Sequence, residues 1–181
     1  MKAAINLLLL ILLISTNSCS KQDDCDNPID CLPPATQTGA NTAGCLVNGK
    51  LLVPKGERFL TGSVLFNQYV FHNDQYLFSL SITDRTGDLL RTVKFVYRGS
   101  MLEINKTYHL EKRSSESSGE YLIEAGLIDA FITTEEITGK FKITHLDETK
   151  NIISGTFWFD AINNEGEIVQ VREGRFDVRY Y

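Results

Sequence analysis

The sequence predicts an all-β domain: an antiparallel β-sandwich or a partly closed up-and-down barrel of roughly nine or ten strands, with little helix. Three observations carry this. Apolar and polar side chains alternate with a period of two in segment after segment. Turn-forming residues recur at short, fairly regular intervals. No stretch shows a convincing amphipathic helical period. A hydrophobic content of 43% over 181 residues is enough for a single domain with a real core, whose alternating strands bury one face and wet the other.

Leu65 to His72 (LFNQYVFH) is rich in aromatic and β-branched residues and ends at an Asn73-Asp74 turn. Tyr69 and Phe71 are both expected in the core. Gln75 to Thr83 sets Tyr76, Phe78, Leu80 and Ile82 against Ser79, Ser81 and Thr83. Leu90 to Arg98 sets Val93, Phe95 and Tyr97 against Thr92, Lys94 and Arg98, and the two segments are expected to form a hairpin around Asp84 to Asp88. Lys106 to Leu110 and Glu120 to Ala125 read as shorter strands on either side of a Ser-rich loop tip, Arg113 to Gly119. Phe131 to Thr134 is a further short strand. Glu135 and Glu136, followed by Gly139, are too brief for a helix.

The last third alternates most clearly. Gly139 to Leu146 and Ile152 to Ile162 flank a turn at Asp147 to Asn151. In the second of these, Phe157, Phe159 and Ala161 share one face while Thr156, Trp158 and Asp160 share the other. Asn163 to Gly166 is a turn, Glu167 to Arg172 a strand, Glu173-Gly174 a tight turn, and Arg175 to Tyr180 the closing strand.

The amino terminus carries an address. Met1-Lys2 is followed by an apolar run, Ile5 to Ile14, too short to cross ~30 Å of hydrocarbon but of the length of a signal-peptide core. Ser15 to Ser18 then lead into Cys19. This resembles the lipobox of bacterial lipoproteins, although Thr16 stands where Leu is usual. The expectation is a cleaved signal over residues 1–18, lipidation at Cys19, and attachment to the membrane through acyl chains that each gain ~0.8 kcal/mol per buried methylene. Lys21, Asp23 and Asp24 resemble the surface-export signal of Bacteroidota lipoproteins. That resemblance implies an outer-membrane anchor facing the cell surface, with the periplasmic face as the other option. Residues 19–43, which hold three of the four prolines, read as a tether, and 44–181 as a single β domain. Without its signal the chain has 17 basic against 23 acidic side chains and no basic tract, so nucleic acid is not an expected partner.

Three cysteines remain outside the lipid site. Cys25 and Cys31 flank a short polar loop and form the preferred disulfide, with a bridge from either one to Cys45 as the alternative. Cys45 opens an apolar stretch and reads as a buried thiol. No pattern for catalysis, a cofactor or a metal emerges. His72, His109 and His145 fall on different strands, Asp23, Asp24, Asp26 and Asp30 lack the glycine and terminal glutamate of a calcium loop, and Gly62-Ser63 and Gly99-Ser100 read as turns.

Two blocks of sequence carry a family resemblance. Gly44 to Lys50 (GCLVNGK), preceded by Leu32 to Gly39, and Ile153 to Phe157 (ISGTF) paired with Gly174 to Val178 (GRFDV), resemble the start and end of a family of Bacteroidota outer-membrane lipoproteins. Leu52 departs from the aromatic residue expected there. The resemblance spans residues 32–181, and it implies an address without implying catalytic residues. The expected function is a surface-anchored binding or interaction module, not an enzyme, holding a glycan or an envelope protein. Trp158 is the candidate ligand contact, although a covered sheet face or a cross-strand pair is the plainer role for it. A purely structural envelope-assembly protein is the alternative.

Overall fold

The computed structural model describes residues 25–56, 62–112 and 117–181. It is all-β, with eleven antiparallel strands: β1 (Thr42–Val47), β2 (Lys50–Leu52), β3 (Leu65–His72), β4 (Gln75–Asp84), β5 (Leu90–Gly99), β6 (Thr107–Leu110), β7 (Ser117–Glu124), β8 (Ile128–Ile132), β9 (Gly139–Asp147), β10 (Ile152–Ile162) and β11 (Ile168–Arg179). A single 3-10 turn, Pro28–Cys31, is the only helical element among the described residues. Pairing runs in the order β2-β1-β11-β10-β8-β7-β5-β4-β3, with β9 and then β6 branching from β10.

Strand β10 makes the fold double over. Along most of its length it pairs with β9, and only at Ile162 does it switch to Ile132 of β8. The strands on either side of this switch form two layers with their apolar faces inward. Phe78 of β4 and Phe95 of β5 meet Phe141 of β9 and Phe176 of β11, with ring centroids 5.1–6.1 Å apart. These rings, with Phe157 and Phe159, form the centre of the core, where edge-to-face and offset contacts add to the area they bury. The sheet is not closed into a barrel, because β2 and β3 are the unpaired ends of the path.

The two motif blocks have plain structural reasons. Asn48 and Gly49 both hold positive φ, 48° and 77°, as a two-residue hairpin turn between β1 and β2 requires. Asn48 also extends the ladder to β11: its N–H donates to the Gln170 carbonyl at 2.9 Å, and its Oδ1 accepts from Gln170 N–H at 2.8 Å. In the second block, a Cβ at Gly155 would lie 2.3 Å from the Lys142 carbonyl oxygen and 2.6 Å from the Phe176 ring, so only glycine lets that ring lie on the backbone.

Several expectations need correcting. Glu173-Gly174 is a bulge inside one continuous β11, not a turn between two strands. Glu173 takes φ 54°, and the register slips by one residue opposite Trp158. Ser117 to Gly119 belong to β7 and are buried, not part of a loop tip. The Phe159 ring lies where a side chain at Gly119 would be, so small residues suit a crowded strand. Phe71 is 62% exposed, because it sits near the end of the edge strand β3 beyond the opposing layer, whereas Tyr69 is buried. The hairpin β1–β2 brings the strand count to eleven.

From Leu32 onward, the segment read as tether lies against the domain, and β1 begins at Thr42. Asp177, 1% exposed on β11, holds it. Its carboxylate accepts from Thr36 Oγ1 (2.5 Å), Thr38 N–H (3.0 Å), Gly39 N–H (2.8 Å), Ala40 N–H (3.2 Å) and Ser154 Oγ (2.8 Å). Burial pushes the carboxyl pKa upward. The hydrogen bonds to the ionised form outweigh that and hold it well below the usual carboxylate range.

Candidate functional site

Cys19, Lys21, Asp23 and Asp24 lie outside the described residues. Cys25 and Cys31 form a disulfide with Cα atoms 5.8 Å apart, enclosing the 3-10 turn, where Asn27 Oδ1 accepts from Ile29 N–H at 3.4 Å. Cys45 is a free thiol, fully buried, and burial alone pushes its pKa far up. The protonated thiol is a poor nucleophile, so Cys45 is core. His72, His109 and His145 sit on β3, β6 and β9, and among the described residues no three His, Cys, Asp or Glu groups converge as metal ligands would.

Trp158 stands on the outer face of β10, 40% exposed, because strand alternation gives the inner face to Phe157 and Phe159. The guanidinium of Arg172 lies 5.4 Å from its ring centroid. That group is held in turn by Asp160 Oδ1 at 2.6 Å and the Phe159 carbonyl at 3.1 Å. The register places Lys140 directly across from Trp158, and Lys142 and Arg175 on either side of Thr156. Together they line a shallow hollow of about 480 Å³, whose wall also includes Phe141, Thr156, Phe157 and Glu173. Four cations and one indole thus share one sheet face of a protein whose net charge is -5. Sequence alternation placed Trp158 on this face. It missed the cations, because cross-strand neighbours depend on register and on the Glu173 bulge.

A second, larger hollow of about 840 Å³ lies between the open sheet ends, walled by Ala43 of β1, Leu51 of β2, the following Val53, and Leu65 and Asn67 of β3. Asn67 points inward, 9% exposed, and its Oδ1 has no hydrogen-bond partner.

A family model described as "Domain of unknown function (DUF6252)" matches residues 79–178, from within β4 to the end of β11. The chain belongs to this DUF6252 family. No curated protein and no solved structure matches it. The family span takes in the ISGTF and GRFDV blocks, Trp158 and the four cations beside it. GCLVNGK, the disulfide loop and most of the larger hollow's β1–β3 walls lie before it.

Proposed function

We propose that this DUF6252 protein is a lipid-anchored binding module of the bacterial outer membrane, held through Cys19, that takes an anionic saccharide on the Trp158 face. One observation carries the reading: an exposed indole in a hollow edged by Lys140, Lys142 and Arg175, with Arg172 paired to Asp160 and Glu173 as the one carboxylate in the lining. An aromatic platform suits the apolar face of a sugar ring, and cations at its margin suit carboxylate or sulfate substituents. Arg172 lies against the indole at 5.4 Å, a contact that would restrain the ring before a ligand stacks on it. The signal-like amino terminus and the Lys21, Asp23 and Asp24 pattern support the address, and display at the surface would put the site where such glycans are met.

Titrating a polygalacturonate or heparin-derived oligosaccharide against intrinsic fluorescence tests the reading, with a neutral dextran oligomer as control. Saturable change with the anionic ligand, lost in Trp158→Ala and weakened in Lys140→Glu, is expected. Equal responses to neutral and charged oligomers, or none at all, would refute it. The structural, envelope-assembly reading draws on a different observation: the edge strand β3 carries exposed Phe66 and Phe71, a composition suited to contact with another chain.

A further inference from the structure

The larger hollow has the geometry of a missing strand. In the two-residue hairpin, Val47 pairs with Lys50 and Cys45 with Leu52, so the backbone groups of Lys50 and Leu52 face β1. Those of Leu51 and Val53 face the other way, into the hollow. Two residues on, the same edge is already in use: Lys55 N–H donates to the Thr83 carbonyl at 3.2 Å, and Arg85 N–H donates to the Lys55 carbonyl at 2.9 Å. This parallel bridge of Lys55 with Asp84 closes one end of the seam.

The opposite wall is β3. Just before it, the Val64 carbonyl accepts from Thr83 N–H at 2.7 Å, which sets the parity of the strand. The backbone groups of Phe66, Gln68 and Val70 bond β4, and those of Asn67, Tyr69 and Phe71 point away from it. Asn67 also contributes the unpartnered Oδ1, a buried acceptor whose desolvation is uncompensated until a donor arrives. Lys55 and Tyr181 also border the hollow; apart from these and Asp84, whose carboxylate is engaged by Arg91 at 3.4 Å and by Thr86, the lining is apolar or neutral and polar.

We propose that this seam binds an extended, uncharged segment of a partner polypeptide, which adds as a strand along β3 and supplies the donor that Asn67 Oδ1 lacks. Two facing sheet edges with outward backbone groups, joined at one end, match a peptide main chain better than a compact ligand. Small apolar side chains suit the Ala43, Val53 and Leu65 walls, and a hydroxyl supplies a donor for Asn67 Oδ1, so the occupant alternates the two. The site is separate from the Trp158 face, lying between the layers rather than on an outer surface.

The test is hydrogen exchange on the full chain in detergent micelles, with the capped peptide acetyl-(Thr-Val)4-amide as probe and a version with proline at alternate positions as control. In the free protein, the amides of Leu51, Val53, Asn67, Tyr69 and Phe71 are expected to exchange much faster than those of Phe66, Gln68 and Val70. The probe should slow them at least about tenfold and the control should not. Asn67→Leu should weaken that protection while raising the melting temperature, since it removes the orphaned acceptor. Phe71→Pro costs no ladder bond and should block the probe even if the Asn67 variant fails to fold. Edge amides already protected in the free monomer would overturn the proposal, as would protection arising from self-association, absent protection at millimolar probe, or equal protection by the proline control. Saccharide binding at Trp158 should be the same in both variants, so the two readings fail independently.

Discussion

The Thr36 hydroxyl donates to the Asp177 carboxylate at 2.5 Å, joining residues 141 positions apart in sequence. With Thr38, Gly39, Ala40 and Ser154 it makes Asp177 the point where the amino-terminal segment is fixed to the closing strand. Asp177→Asn keeps the shape but turns acceptor oxygens into an amide with donors facing donors. Unfolding in urea should show a loss of about 3 kcal/mol.

The same carboxylate sets an acid limit. A group whose folded-state pKa is depressed stabilises fully above its unfolded value, ~3.9 for aspartate, and loses that contribution as pH falls through the folded value. Stability of the native protein should therefore decline as pH drops below about 4. Asp177→Asn should show a shallower decline over that window, checked by thermal melts at stepped pH. Equal slopes would mean that other carboxylates carry the acid sensitivity.

Gly155→Ala should be among the most damaging small substitutions, at about 3 kcal/mol or outright failure to fold. The added methyl meets backbone and ring that cannot move independently. Gly126→Asn, with open space around it and a positive φ that Asn tolerates, should cost well under 1 kcal/mol. Chemical denaturation of the pair separates a packing requirement from a general intolerance of side chains at glycine.

Asn48 combines a turn conformation with a cross-strand bond, and two variants divide these. Asn48→Gly keeps the positive φ and should lose about 1 kcal/mol for the missing bonds to Gln170. Asn48→Ala should lose about 1 kcal/mol more for the strained backbone.

Cys45 should resist thiol reagents in the folded protein at pH 8 and label at a rate set by opening of the core, since burial keeps the thiol protonated. Rapid labelling of native protein would place it outside the core. Trp158 gives the complementary signal: solvent-like emission readily quenched by acrylamide, with only a small stability change in Trp158→Ala.

What could be read in the sequence was whatever depends on neighbours along the chain. Alternation located β3 and β10 to the residue and put Phe157 and Trp158 on opposite faces, because side-chain direction in a strand is a local property. Glu173-Gly174 misled because a bulge and a turn use the same positive φ, and only the partner strand decides between them. Ser117 to Gly119 misled because serine and glycine mark loops by composition, whereas here they are buried in β7 and Gly119 yields space to Phe159. The cations around Trp158 and the orphaned Asn67 could not be read at all. The cations depend on the register of the consecutive strands β9, β10 and β11 and on the Glu173 bulge, and the orphaned acceptor depends on what packs against β3; neither is a property of neighbours along the chain.

The Asp177 latch also determines how the domain would bear a pull. Tension entering from the amino-terminal side reaches Thr36 to Ala40 before it reaches β1, so it meets a cluster of bonds on one carboxylate rather than the first rung of a strand that could be unzipped singly. Bonds loaded side by side share the force, and the sheet behind them is spared. Acid would release that grip by protonating its one common acceptor, so the mechanical strength of the mooring and its chemical resistance to low pH reside in the same atoms.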